Sequence, residues 1–361
     1  MKIYPVTKNL VWGGSKLKKF FNKSSNTDNI AETWELSVHA DGMSTVQDGS
    51  TLKQILDINP KWLGTLNLNG IQIIVKLIDA ADNLSIQVHP DDVYARQFGQ
   101  LGKRECWYIV DAEDGAGIYC GFNKDLTKQE LEQALVDKTI LTKLNFISVK
   151  KGDSFFIESG TVHAIGKGVT ICEIQQSSNI TYRLYDYDRR DANNNPRDLH
   201  INQSLDVCNL KAYIPKKISI SIDDNLLWYA GCKDFGAYQL RVDGEYIYTT
   251  LETSFCSFTV IDGQCIINGE DCNTGQTYFA KASNEYTILG KCTIIIATID
   301  KYTVQITEDN KTTKATITNT VGKTLTTVSI QQPLNNNTKE KLLTMCAVNL
   351  NMKVDDFSEK Q

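Results

Sequence analysis

The sequence has no C-x-x-C motif, no long apolar run and only four histidines, and each shortage narrows what the chain can do. Its ten cysteines are scattered at uneven spacing. That argues against a thiolate zinc site or a disulfide frame, and for buried, reduced thiols in a cytoplasmic protein. No stretch of about eighteen apolar residues is present, so no membrane span is expected. The opening residues, MKIYPVTKNLVWGG, carry an early lysine but no apolar h-region, which makes a poor signal peptide. The net charge of −5 disfavours a general binder of nucleic acid or of anionic membranes. No obligate protein partner is evident. Any imidazole chemistry must use His39, His89, His163 or His200.

What is present is ordinary globular material: 361 residues, 41% apolar and 22% charged, enough for two or three domains and a sizeable core. Residues 31–42 alternate Trp34, Leu36 and Val38 against Glu35, Ser37 and His39, the pattern of a half-buried strand. His39 on its polar face either approaches a site or is hydrogen-bonded within the structure. Residues 50–63 read as a helix capped by Ser50. Residues 71–78 are an almost continuous β-branched run, a buried strand. Lys76 lies inside that run. Either its stem follows the sheet to an edge or its amine faces a polar pocket. Thr127 and Glu130 form a capping box ahead of a helix. Short strands and glycine turns continue through Lys151-Gly152-Asp153 and Ser159-Gly160-Thr161, the grammar of a sandwich or barrel.

The fold expected is mainly β, a cupin-type double jelly roll with a few short helices. Residues 1–205 form a metal-binding catalytic cupin domain with a helical insertion. Residues 206–300 repeat the strand-and-glycine grammar without any histidine and form a second, metal-free cupin-like domain. Residues 301–361 form a C-terminal extension, with a hairpin at 312–330 around Gly322, a polar linker NNNT and a short helix from Thr338 onward.

The stretch from Ser85 to Glu105 carries the chemistry. Gln87 and His89 occupy alternate positions of a strand and project together, and Pro90 ends that strand. Glu105 opens another strand after a loop. His163 follows a Gly-Thr turn and is expected from a paired strand across the barrel. Two imidazoles, a carboxylate and a carboxamide suit Zn²⁺ or a borderline divalent ion, with a position left for water or a substrate oxygen. Lys76, Lys103, Arg183, Arg189 and Arg190 lie around these ligands in the chain, and Lys103 shares a face with Glu105. A metal among cations suits an anionic or oxyanion-forming substrate. The run YRLYDYDRR also reads as a surface strand whose Asp and Arg side chains pair with one another. Two readings compete with an enzyme for such a substrate: a cupin metalloenzyme of another class such as an oxygenase, which would ordinarily use H-x-H and a redox metal, and a sugar-binding regulatory cupin, which would not need a full ligand set.

Five segments, ETWELSVH, SIQVHPDD, GKRECWYI, KKGDSFFIESGTVHAIGKG and NITYRLYDYDR, resemble the type I phosphomannose isomerases (mannose-6-phosphate isomerases) in their shorter, Bacillus-like form. The resemblance covers residues 1 to about 300 and fades beyond about 305. It implies one zinc per chain, held by Gln87, His89, Glu105 and His163. It implies catalytic roles for Arg183, Lys103 and Glu173, and places Ser85, Lys76 and Arg189 on the substrate and its phosphate. The implied reaction interconverts mannose 6-phosphate and fructose 6-phosphate through a cis-enediol(ate). Glu158 stands where the family usually has proline, which is expected to change the turn rather than the site.

Overall fold

A strand whose two faces are both apolar must be covered on both sides, and the strand Ile73–Asp79 is buried at every position. One face, with Ile78, packs among Trp107, Ile109, Ile118, Ile165 and Ile171 inside the first barrel. The other face, with Ile73, Val75 and Leu77, packs against Tyr229, Phe235, Phe255, Phe279 and Ile295 of a second sheet. A computed structural model of the chain describes residues 1–67, 69–190, 194–309 and 312–359; the remainder of the extension, at 310–311 and 360–361, lies outside the described residues.

The first barrel is a sandwich of two antiparallel sheets, the architecture of a jelly roll. One sheet has the strand order Leu144–Ser148, Gly117–Phe122, His163–Ile165, Ile86–Val88, Tyr182–Tyr185. The facing sheet runs Ser154–Ile157, Glu105–Ala112, Val169–Gln176, Ile73–Asp79, Glu32–Leu36, Val6–Lys8. The six-stranded sheet is the shared wall between the barrel interior and the second sheet. This explains why the polar face of residues 33–37 is sealed: Thr33, Glu35 and Ser37 are as buried as Leu36, while Val38 and His39 beyond them stay partly exposed. Glu35 is paired there with Lys23 at 2.6 Å and accepts hydrogen bonds from Thr33 and Thr277.

The second sheet has eight strands, dominated by the long antiparallel set Phe235–Thr249, Cys256–Ile267 and Glu285–Thr298. Alternation along Phe235–Thr249 sends Phe235 and Ala237 toward the first barrel and Tyr238, Leu240 and Val242 into a separate core. A bulge between Val260 and Asp262 and the positive φ of Gly263, +79°, bend the middle of the Cys256–Ile267 strand. A Cβ at Gly263 would lie 2.1 Å from the Lys291 carbonyl oxygen, so only glycine fits the bend.

The last segment builds on that second core. Strands Tyr302–Asp309, Thr312–Thr318 and Thr324–Ile330 form a sheet that Phe357–Glu359 joins in parallel. Helix Asn336–Leu350 covers it, and Leu342, Cys346 and Leu350 share a core with Trp228, Phe258 and Ile294. The hairpin around Gly322 is as the sequence predicts. The helix starts earlier than Thr338, because Asn335, in the expected linker, is its cap and accepts a hydrogen bond from the Thr338 amide at 2.9 Å. In the first domain, Thr51 rather than Ser50 caps the helix Leu52–Ile58, through a capping box with Gln54. The helix stops at Asn59, before Pro60 opens a 3₁₀ turn. Thr127 and Glu130 make their capping box on Lys128–Val136 as expected.

Candidate metal centre and active site

The Ile86–Val88 strand ends before Pro90, which has no amide hydrogen to continue the ladder. His89 follows directly and is 1% exposed. Its Nδ1 lies 2.9 Å from the Ile180 carbonyl oxygen, so that nitrogen carries the proton and Nε2 presents its lone pair to the barrel. His163 repeats the device: Nδ1 meets the Thr161 carbonyl at 2.8 Å and Nε2 points inward. The strand of His163 lies beside that of Gln87 in the same sheet, with the two residues in register. His163 therefore comes from the neighbouring strand rather than from across the barrel. The partner across the barrel is Glu105, on the facing sheet.

Glu105 has no exposed surface. Oε1 is 3.3 Å from His163 Nε2 and Oε2 is 3.5 Å from His89 Nε2. Neither carboxylate oxygen accepts a hydrogen bond, a costly state for a buried carboxylate unless a cation completes it. The three residues offer ligand atoms that all lie within 4.8 Å of one another. The Gln87 carboxamide reaches to 3.5 Å of His163 Nε2. Burial, followed by the Lys103 and His163 charges, keeps the His89 imidazole well below its ordinary pKa. Burial pushes His163 down to about 4. Both rings are neutral near pH 7, the form that donates a lone pair to a metal. Two inward-facing imidazole nitrogens, a carboxylate that accepts no hydrogen bond and an adjacent carboxamide fit a divalent cation.

Lys103 shares this pocket. Its Nζ is 3.2 Å from His89 Nε2 and 3.4 Å from Glu105 Oε2. Trp107, on the same face of the strand as Glu105, sets its ring edge-on to His163 at 5.4 Å and donates its indole hydrogen to Glu173 Oε2 at 3.0 Å. Glu173 Oε1 faces only the Lys76 ammonium, at 3.3 Å. Burial, with the Glu105 charge behind it, raises the Glu173 carboxyl above its ordinary pKa. Lys76 faces a polar pocket and not an edge. Burial alone would lower its pKa, but Glu32, Glu173 and Glu105 together hold it above that of a free lysine. Its Nζ is 3.5 Å from Glu32 and lies over the Trp34 ring.

On the edge strand of the five-stranded sheet, Arg183 pairs in register with Gln87. Its Nε donates to Ser85 Oγ at 3.3 Å and its Nη1 to the Asp198 carbonyl at 2.7 Å. Arg189 is engaged differently. It pairs with Asp186, as does Arg197, and also bonds the Asn83 carbonyl. The Asp–Arg pairing read as an alternative for this run is found at Arg189 and not at Arg183. Arg190 is exposed and bonds the Asn194 carbonyl. His39 lies away from the metal ligands, accepting from the Asp41 amide.

Glu32 and Trp107 are not among the sequence candidates, and His200 is named there only as one of the four histidines, with no role. Glu32 partners the buried lysine, and a lysine inside an apolar strand demands such a carboxylate. Trp107 stands two positions after Glu105, a spacing that shares its face. His200 accepts the Arg183 amide at 3.2 Å, a contact between distant segments that no local pattern announces. Glu158, at the expected proline position, is largely buried and pairs with Lys353 at 3.1 Å.

Comparison with known proteins agrees with this geometry. Residues 1–119 match the family model for the phosphomannose isomerase type I catalytic domain. The chain is similar to the probable mannose-6-phosphate isomerase GmuF of Bacillus subtilis, 34% identical over 81% of this chain and 97% of that protein. The mannose-6-phosphate isomerase of Streptococcus mutans is 42% identical over 55% of this chain and 64% of its own. The crystal structure of the Bacillus subtilis mannose 6-phosphate isomerase superposes with a TM-score of 0.75 at 32% identity, covering 82% of this chain and 98% of that one. On that shared sequence, shared fold and a buried His-Glu-His cluster, the chain belongs to the type I phosphomannose isomerases.

Proposed function

We propose that the protein is a cytoplasmic, zinc-dependent isomerase that interconverts D-mannose 6-phosphate and D-fructose 6-phosphate, acting on a small phosphosugar with no nucleic acid or membrane as partner. The observation that carries the reading is the buried Glu105 carboxylate, neither oxygen of which accepts a hydrogen bond, facing the inward Nε2 atoms of His89 and His163. His89, Glu105, His163 and Gln87 would hold one Zn²⁺ per chain. When bound there, the ion supplies Lewis-acid charge facing the carbonyl and hydroxyl oxygens of the opened sugar.

The remaining chemistry belongs to the side chains. Lys103 Nζ, already held between His89 and Glu105, places a positive charge where the cis-enediolate would develop, and Arg183 supplies a second. Glu173 carries the proton between C1 and C2. Its Oε1 has only Lys76 beside it, and its raised pKa brings it closer to neutral, as proton exchange at that pH favours. Ser85 Oγ and the Arg183 guanidinium, in contact with each other, bind the substrate's phosphate end. Arg189, fixed by Asp186, adds charge to the same end, and Lys76 binds the substrate from beside Glu173. Holding the phosphate positions C1 and C2 against the proton carrier. Coupled turnover of mannose 6-phosphate that is lost with a chelator and regained with Zn²⁺ tests the assignment; metal-replete protein without turnover refutes it.

A further inference from the structure

The Lys103-Arg104-Glu105 segment divides its side chains between two faces. Lys103 and Glu105 point into the barrel at the metal cluster. Alternation turns Arg104 the opposite way, toward the second sheet and the C-terminal segment. Arg104 is 5% exposed. Its Nη1 donates to Asp356 Oδ1 at 2.8 Å and its Nε to Asp234 Oδ2 at 3.1 Å. Asp356, itself buried, also accepts from the Lys233 amide at 3.0 Å and, through Oδ2, from the Lys353 amide at 2.8 Å. The Arg104 backbone is pinned on the other side by Gln176, whose Oε1 accepts the Arg104 amide at 2.8 Å.

The same C-terminal turn holds a second ligand-bearing segment. Lys353 Nζ pairs with Glu158 at 3.1 Å. Glu158 opens the turn Glu158–Val162 that delivers His163; the Thr161 amide bonds back to the Glu158 carbonyl. The Gly160 amide within that turn bonds the His89 carbonyl at 2.8 Å. Thus residues 353–356 reach, through one arginine and one glutamate, the backbone that carries Glu105, His163 and His89. The sequence resemblance fades before these residues begin, and nearly a fifth of the chain has no counterpart in the Bacillus subtilis relatives.

We propose that Asp356 and Lys353 of the C-terminal segment are positioning residues for the metal centre, acting through Arg104 on Lys103 and Glu105 and through Glu158 on His163. An arginine buried between two carboxylates, bonded to each through a different part of its guanidinium, holds its backbone in one place. Outer partners of metal ligands commonly set affinity in this way. The inference rests on the isomerase reading only for its kinetic half; the metal half stands by itself.

The test compares the full-length chain with its Asp356→Asn, Asp356→Glu and Lys353→Met variants, each stripped of metal. Zn²⁺ is titrated against a chromophoric chelator, and thermal unfolding of the same samples is followed. Asp356→Asn is expected to weaken Zn²⁺ binding by about tenfold, with Asp356→Glu recovering most of the loss. With mannose 6-phosphate, kcat falls by a similar factor while KM stays within about twofold, because Ser85 and Arg183 are remote from the change. Zn²⁺ affinity equal to that of the parent chain, whether or not the melting temperature falls, overturns the proposal. Should Asp356→Asn fail to fold, the same titration on Lys353→Met decides. A parent chain that binds Zn²⁺ without turning over mannose 6-phosphate refutes the isomerase reading and leaves the affinity comparison to judge this one.

Discussion

At the scale of single residues, the site is a set of buried charges that only make sense together. Lys76 neutralises Glu32 and Glu173 from a position 4% exposed. Replacing it by methionine leaves the buried Glu173 carboxylate and the partly buried Glu32 carboxylate without their ammonium, and breaking such a pair costs about 3–5 kcal/mol. Urea unfolding of Lys76→Met should show a loss of that size, whereas Lys53→Met, which breaks an exposed pair with Asp57, should change stability by less than about 1 kcal/mol. Glu173→Gln keeps the Trp107 hydrogen bond within reach of its amide oxygen and removes the proton carrier. Its kcat should fall by about 10²–10⁴-fold with Zn²⁺ content unchanged; a variant with parental kcat would remove Glu173 from the mechanism. Much of this was readable in the sequence. Alternation put Gln87 beside His89 and Lys103 beside Glu105, and a lysine in a β-branched strand left a polar pocket and a sheet edge equally open until its partners were placed. The partners that complete the set, Glu32, Trp107 and His200, come from other strands, and register between strands is not written in any one of them.

At the scale of elements, local signals and tertiary context part company at identifiable places. The capping box at Thr127 is local chemistry and was legible as such. The helix Asn336–Leu350 was legible too, but its start was misplaced because asparagines read as a linker when one of them is the cap. Asn335→Ala should therefore destabilise the chain by about 1 kcal/mol, measured as a shift in the urea midpoint with no change in Zn²⁺ affinity. The strand over residues 31–42 looked half-buried because its alternation is polar on one face. As far as Ser37 that face is sealed by the second sheet, and Glu35 is tolerated there only with Lys23, Thr33 and Thr277 around it. A strand cannot reveal that its polar face meets another domain. For the same reason His163 was expected from across the barrel: its spacing from His89 shows that the two are distant in sequence, not which sheet each enters.

At the scale of the whole molecule, the six-stranded sheet is the wall through which everything is coupled. One core runs from Ile73, Val75 and Tyr108 of that sheet to Phe235, Phe255 and Phe279 of the next. Another runs from Trp228 and Phe258 to Leu342 and Leu350 of the last segment. Cores shared in this way predict one cooperative unfolding transition for the metal-free chain, seen equally by tryptophan fluorescence and by far-ultraviolet circular dichroism. Two separated transitions would show that the second sheet and the extension fold apart from the catalytic barrel. Among the described residues, no helix is long and apolar enough to cross a membrane, and the one cluster of metal-ligating histidine and acidic side chains is that of His89, Glu105 and His163. The most direct measurement is therefore coupled turnover of mannose 6-phosphate by metal-stripped protein before and after one equivalent of Zn²⁺. The account predicts no turnover before and full turnover after, with His163→Ala inert in both. Undiminished turnover by the stripped protein, or by His163→Ala, would contradict it.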